Sequence, residues 1–404
     1  MPNPVTIRDV KTFLIQTAGP GTRFIIVKVD TSEPGLYGLG CATFTQRFRA
    51  VHTAIEQHLK PFVIGKDVSR IEELWQMAMV QGYWRNGPVL NNAISGIDQA
   101  LWDIKGKMAN MPVYDLLGGK CREAAAVYTH ADGCDPQEVL DNVRKFQEQG
   151  YRYIRVQMGG YGGQAAQMHR PEGCPESGSY FDPRAYTRNM LKMIEYVRSN
   201  VGDEMELLHD VHERLSPIDT VKFAKDVERF NLFFLEDSLA PEDIEWFRMI
   251  RQQCATPIAM GELFNNPHEW RLLIEERLVD FIRMHVSQMG GITPARNAAI
   301  HAQIYGIRTA WHGPGDTSPV GHAANLDLDV WAPNFGIQEW CRFDPLVYEM
   351  FPGLPEVRGG YLYPNDKPGL GIDFNEKLAA KYACVDEVDV WTQTRLPDGS
   401  PARP

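Results

Sequence analysis

The chain has 404 residues, 44% hydrophobic and 23% charged, a globular composition with room for more than one domain. Its net charge of −11 argues against a nucleic-acid partner or an anionic membrane surface. No apolar run approaches the ~18 residues of a membrane span, and the opening MPNPVTIRDVKTFLIQ lacks the basic-then-apolar layout of a secretion signal.

Residues 1–123 read as an α+β domain. IRDVKTFLI and RFIIVKVD have the alternation of paired strands, and GLYGLGCATF extends the sheet after Gly-rich turns. Two helical stretches follow. In the second, SGIDQALWDIKGKMAN, Ile97, Leu101, Ile104 and Met108 form one stripe, with Ser95 as N-cap and Pro112 beyond the end.

From 124 to 350 strands and helices alternate. The predicted strands are 125–131, 151–158, 205–212, 232–238, 257–262, 280–286, 307–313 and 335–340. Between the third and fourth, Val221, Ala224, Val227 and Phe230 make an apolar helical stripe. Eight such units predict an α/β fold of the (β/α)8 barrel type, with an open doubly wound sheet as the alternative. The Gly-rich segment 158–183 is long for a strand-to-helix connection and predicts a lid or site wall. Residues 351–404, rich in Gly, Pro and aromatics, are expected to wrap back toward the N-terminal domain.

Cysteines 41, 121, 134, 174, 254, 341 and 384 are odd in number and form no CxxC. Free thiols in a reducing cytoplasm are the expectation.

Three carboxylates close consecutive predicted strands at a spacing of 26 residues: Asp210 in MELLHD, Glu236 in LFFLED and Glu262 in PIAMGE. Any one of them alone could be an N-cap or a loop ion pair. Together, at the C-terminal ends of adjacent barrel strands, they repel one another and need a cation. Oxygen ligands without cysteine or clustered histidine point to Mg²⁺. His212, two positions past Asp210, would face the same side of a continuing strand and suits general-acid work near neutral pH. His312 and Asp316 in WHGPGDTSP are either a site pair or a turn-stabilising pair. Arg283, Glu339 and His130 lie on predicted strands as substrate contacts or supporting ion pairs.

These residues resemble the enolase superfamily, and within it the mannonate dehydratase branch. The likeness spans nearly the whole chain, through SGIDQALWDIKGKMANMPVYDLLGG, HDVHERLSP, FFLEDSLAPED, PIAMGELFNNP, GGITPARNAA, WHGPGDTSPVGHAAN and NFGIQEW. The resemblance implies a capping domain over a modified (β/α)7β barrel, and Mg²⁺ on Asp210, Glu236 and Glu262. It also implies dehydration of an acid sugar, with mannonate and gluconate first among substrates, to a 2-keto-3-deoxy acid. His212 would be the acid that expels the 3-hydroxyl. His130, Arg283, His312, Asp316, Glu339 and Glu262 would hold the substrate, with Gln46 from a capping loop. An even-numbered homo-oligomer is what the family suggests.

The pattern departs from the family in places. Arg155-Val156-Gln157 stands where many members carry a Lys-x-Lys base, in keeping with a branch in which an Arg assists a Tyr. At that branch's tyrosine spacing stands Gln167, leaving Tyr161, with Tyr180 as rival. A cation beside the phenol, here Arg155, would lower its pKa from ~10. Glu213 follows His212 where efficient members read His-His, and Asp327 stands where a His is common. These changes fit a divergent part of the branch with starvation-sensing-type proteins, and they imply inefficient mannonate turnover. Two other readings follow from the same residues: a superfamily racemase or dehydratase for another sugar, and a vestigial metal-binding member with a regulatory or ligand-binding role.

Overall fold

In the computed structural model the described residues are 4–18, 22–164, 170–175 and 178–404. Gln167 lies outside them. The first three strands are β1 (Ile7–Gln16), β2 (Arg23–Thr31) and β3 (Tyr37–Cys41), an antiparallel sheet in the order β1-β2-β3. The register pairs Val10 with Val29 and Ile15 with Phe24, so β-branched and aromatic side chains meet across the ladder.

The helix Pro88–Ala109 covers this sheet. It begins seven residues before Ser95, with Gly87 at the N-cap, so Ser95 is not a cap. Its hydroxyl instead donates to the carbonyl of Cys41 at 2.9 Å, which ties the helix to β3. Gly40 makes that approach possible: a Cβ there would fall 1.9 Å from the Gly96 carbonyl. Ile97, Leu101 and Ile104 are buried as predicted, but Met108, in the last turn, is exposed.

All eight predicted barrel strands are present; the first runs two residues past its predicted end and the other seven are shorter than their sequence patterns. They are β4 (Ala125–Gly133), β5 (Tyr153–Met158), β6 (Glu206–Asp210), β7 (Phe234–Glu236), β8 (Ile258–Met260), β9 (Phe281–Ile282), β10 (Arg308–Thr309) and β11 (Gln338–Glu339). Neighbours from β4 to β10 pair in parallel. The sheet closes because β11 pairs with β4, while Thr309 bridges Phe335. Inside the ring, Tyr128, Leu208, Phe234, Ala259, Phe281, Ala310 and Ile337 pack into one buried layer that plugs the interior. The carboxylates Asp210, Glu236 and Glu339 stand at the strands' C-terminal ends, beyond this layer.

The capping domain sits over those ends. Asn91 donates to the carbonyls of Asn265 and Gln288 at 2.6 and 2.9 Å, and Thr293 donates through N and Oγ1 to Asp98. The later chain first returns to the barrel, where β12 (Val357–Arg358) and β13 (Tyr361–Leu362) form a hairpin whose second strand pairs with Ala125 and Ala126. It then crosses the capping domain, with Asp373 on Tyr37, Glu376 on Lys28 and Asp389 on Arg23. Its last stretch departs from expectation and comes back over the barrel mouth. All seven cysteines are unpaired. Among the described residues no helix is long and apolar enough to cross a membrane.

Candidate active site

Asp210 ends β6 and Glu236 ends β7, and the two are direct register partners, so their side chains leave the sheet side by side. Glu262 follows β8 by two residues. Its approach turns at Gly261 (φ 142°), whose N–H donates to Asp237 Oδ1 at 3.0 Å. Glu236, Asp237 and Glu262 bring carboxylate oxygens within 4.8 Å of one another. Asp210 stands at the edge of that cluster, joined through Arg155, whose Nη1 lies 3.3 Å from Asp210 Oδ2 and 3.9 Å from Glu236 Oε1. Asp237 was not anticipated from the sequence. The signal was the second acid of LFFLED.

Arg283, immediately after β9, is fully buried and neutralises the other side. Nη1 reaches Glu262 Oε2 at 2.5 Å and Asp237 Oδ2 at 3.1 Å. Nη2 bonds Glu339 and lies 2.8 Å from Glu236 Oε1, while Nε donates to the Tyr128 hydroxyl at 3.1 Å. Burial works against the charge on both arginines, but the surrounding carboxylates outweigh it and hold them firmly protonated. Burial, with Glu262 beside it, pushes Asp237 up. Burial likewise pushes Glu236 up against the pull of Arg283. For Glu262 burial is overcome by His312, Arg283 and His212, and it is held well below the usual carboxylate range.

His130, on β4, donates from Nε2 to Glu339 at 2.8 Å and receives Arg155 Nη2 on Nδ1 at 3.2 Å. An arginine can only donate, so this assigns the tautomer. Burial and Arg155 together lower its pKa.

His312 does not pair with Asp316. Its Nε2 lies 3.2 Å from Glu262 Oε2, and its Nδ1 lies 2.6 Å from Nδ1 of His285. Burial lowers its pKa, but Glu262 more than compensates and the net shift is upward. Burial and the His312 charge hold His285 well below its usual value, so His285 is the acceptor of the pair. Among the described residues Asp316 leaves a buried Oδ1 without a hydrogen-bond partner. Gln46 lies half-buried in the short turn Thr45–Arg47, moored near the mouth where Ser287 donates to the Cys41 carbonyl. Among the described residues its side chain makes no hydrogen bond to the barrel.

His212 reaches the site by a route other than strand alternation. β6 stops at Asp210, and His212 and Glu213 take left-handed conformations (φ 51° and 50°). That conformation is costly for such residues. It is held by His212 N–H on Asp210 Oδ1 at 2.7 Å and Glu213 N–H on the Asp237 carbonyl at 2.8 Å. The result places Nε2 of His212 3.5 Å from Glu262 Oε1. Burial raises the carboxyl of Glu213 to about 7. Asp327 lies away from the mouth, buried beside Tyr114.

The two candidate tyrosines separate cleanly. The Tyr161 hydroxyl lies 3.5 Å from Asp210 Oδ2, its ring centroid is 5.2 Å from that of His212, and the Arg214 guanidinium stacks 3.8 Å above it. The Tyr180 hydroxyl donates to the Pro175 carbonyl at 2.8 Å, within the loop wall. Burial and Asp210 push the Tyr161 phenol well above its usual value, with Arg155 and Arg214 opposing. The arginines alone therefore do not activate it. At Gly163 the loop packs tightly against its own far end: a Cβ there would fall 2.3 Å from the Phe181 ring.

Oxygen-only carboxylates at the mouth of a closed (β/α) barrel, beneath a capping domain, define a class, and comparison with known proteins agrees. Residues 5–118 match the mandelate racemase / muconate lactonizing enzyme N-terminal domain, and residues 138–378 match the enolase C-terminal domain-like family. The chain belongs to the enolase superfamily, and it is an enzyme of the dehydratase kind. It is 54% identical to a D-galactonate dehydratase family member from Musicola paradisiaca, over 98% of this chain and 99% of that protein. A second such family member, from Enterococcus gallinarum, is 52% identical over the full length of both. The crystal structure of an enolase from Pantoea ananatis with bound D-gluconate and Mg superposes with a TM-score of 0.95 at 53% identity, covering 99% of this chain and 100% of that one.

Proposed function

We propose that the protein is a Mg²⁺-dependent hydro-lyase that removes water from an acid sugar, taking D-gluconate or D-mannonate to 2-keto-3-deoxy-D-gluconate. D-Galactonate, named for its relatives, is the next candidate. The observation that carries this reading is the meeting of Tyr161 and His212, ring centroids 5.2 Å apart, beside the carboxylates of Asp210 and Glu262. Proton removal and hydroxyl departure on adjacent carbons need a base and an acid side by side.

The residues suit the metal. Glu236 and Asp237 are buried acids pushed up by burial, and Glu236 Oε1, though 2.8 Å from Arg283 Nη2 as an ion pair, accepts no well-aligned hydrogen bond among the described residues. Oxygen ligands of this kind favour a hard divalent cation. Asp210, Glu236 and Glu262 would hold Mg²⁺, which supplies charge stabilisation for a substrate carboxylate as its α-proton leaves.

Tyr161, as phenolate beside Arg155 and Arg214, takes the C2 proton. His212 gives its Nε2 proton to the C3 hydroxyl, which departs as water, and the resulting enol tautomerises to the 2-keto acid. Arg283, His312 and Glu339 with His130 orient the carboxylate end, and Asp316 and Gln46 meet the sugar hydroxyls. The unpaired cysteines support a cytoplasmic setting, and the exposed Tyr83–Trp84 pair supports assembly into a homo-oligomer.

The test is a library of acid sugars incubated with Mg²⁺ and assayed for 2-keto-3-deoxy product. Product from gluconate or mannonate is expected. Its absence from every sugar overturns the reading, and C2 deuterium exchange without water loss would indicate a racemase instead.

A further inference from the structure

The last stretch of chain is placed where a surface tail has no reason to be. The main-chain oxygen of Pro404 lies 2.6 Å from Nδ1 of His212, and the Trp391 ring meets the same imidazole edge-on, centroids 6.2 Å apart at 73°. Arg403 fastens the segment by donating to Asp243 Oδ2 at 3.0 Å and to the Glu213 carbonyl at 3.5 Å. Further back, Arg395 pairs through its main chain with Ser179 and Phe181 at 2.9 and 2.8 Å. Asp182 N–H in turn donates to the Gly163 carbonyl at 2.8 Å, so the tail also touches the loop that carries Tyr161.

We propose that Trp391–Pro404 is a positioning element for the acid half of the reaction, with Trp391 and Arg403 as its working side chains. The inference rests on the dehydratase reading and adds to it the part that sets His212. An imidazole can present either nitrogen to its surroundings, and the hydrogen bond at one ring nitrogen sets what the other does. This main-chain oxygen can only accept, so Pro404 keeps the proton of Nδ1 in place and turns Nε2 toward Glu262, where the leaving hydroxyl must sit. Trp391 closes the face through which the ring would swing. Without the tail, His212 stands in a strained turn with its outer nitrogen open to water and two orientations to choose from. The base half of the site, Tyr161 with Arg155 and Asp210, meets the tail only by way of the Arg395 main chain, which substitutions of the Trp391 and Arg403 side chains leave in place.

The separation of halves gives the test. The full chain with Mg²⁺ and its best acid sugar is assayed in D₂O as wild type, Arg403→Ala, Arg403→Lys and Trp391→Ala. Both water loss and deuterium entry at C2 of recovered substrate are followed. Arg403→Ala and Trp391→Ala are expected to lower kcat for dehydration about tenfold or more, part of the 10²–10⁴ that a positioned acid supplies. KM should stay within about twofold, C2 exchange should persist, and Arg403→Lys should restore most of the loss. Exchange and dehydration falling together, or neither falling, overturns the proposal. Histidine-labelled ¹H–¹⁵N spectra give a second reading independent of turnover. A slowly exchanging Nδ1–H, assigned by its loss in His212→Asn, should be present in wild type and absent in Arg403→Ala. Its persistence in that variant also overturns the proposal. A wild type that shows this signal yet turns over no sugar sinks the dehydratase reading while leaving the positioning role standing.

Discussion

The hydroxyl of Tyr161 lies 3.5 Å from Oδ2 of Asp210, the same oxygen that Arg155 reaches at 3.3 Å. Asp210 thus raises the phenol's pKa while Arg155 lowers it, and a cation on Asp210 would tilt the balance toward the phenolate. Tyr161→Phe keeps the ring against Arg214 and removes only the oxygen. It should abolish dehydration and C2 deuterium exchange together, each by about 100-fold or more. Tyr180→Phe, which loses only a bond to the Pro175 carbonyl, should retain both within a few fold. The reverse result would move the base to Tyr180.

Metal affinity should distinguish the two aspartates. Asp210 is the register partner of Glu236, whereas Asp237 spends Oδ1 on the Gly261 N–H and Oδ2 on Arg283. Titration calorimetry should therefore show Mg²⁺ binding weakened at least about tenfold in Asp210→Asn and much less in Asp237→Asn. In wild type, Mg²⁺ at a hundredfold excess over Kd should add about 2.7 kcal/mol of stability, reversed by chelation. Equal loss in the two variants would place Asp237 in the ligand set.

The sequence made the eight strands, the carboxylate ladder and most of the mouth legible because each follows a local rule: apolar runs ending in a polar residue, repeated at the length of one βα unit. The less legible parts depend on contacts distant in the chain. His212 was expected to face the site by continuing a strand. It arrives through two left-handed residues whose conformation is fixed by Asp210 and by the Asp237 carbonyl from the next strand. Ser95 looked like a cap because a polar residue preceded an apolar stripe. The helix starts earlier because Gly87-Pro88 supplies a better start, and Ser95 is spent on Cys41. His312 and Asp316 are close in sequence, but the nearer partners of His312 come from β8 and β9. Nothing local in RLPDGSPARP signals that it ends on His212, some 190 residues earlier.

Arg283 is the charge on which four carboxylates depend: Glu236, Asp237, Glu262 and Glu339. Arg283→Met preserves much of the volume but leaves those acids unneutralised. In metal-free protein it should cost about 3–5 kcal/mol in urea unfolding, the usual penalty for breaking a buried ion pair from one side. Mg²⁺ should recover part of that loss, because both cations act on Glu236 and Glu262. A variant as stable as wild type without metal would mean that the acids are already protonated.

Asp98 offers a pH prediction away from the mouth. It is fully buried between the capping helix and the barrel, accepts from Thr293 N–H at 3.0 Å and Thr293 Oγ1 at 2.5 Å, and burial raises it to about 7. Gly291, at φ 110°, makes room, since a Cβ there would fall 2.4 Å from Asp98 Oδ2. The folded value lies above the unfolded one, so the folded state holds this proton more tightly. The associated stability is fully present below about pH 4 and is lost as pH rises to about 7. Asp98→Asn can accept from the Thr293 N–H and donate to its hydroxyl without ionising. Between pH 5 and pH 8 wild type should lose up to about 3 kcal/mol more than this variant in urea unfolding, at 1.36 kcal/mol per pKa unit. Parallel pH dependences for the two proteins would show that Asp98 is charged, or neutral, throughout that range.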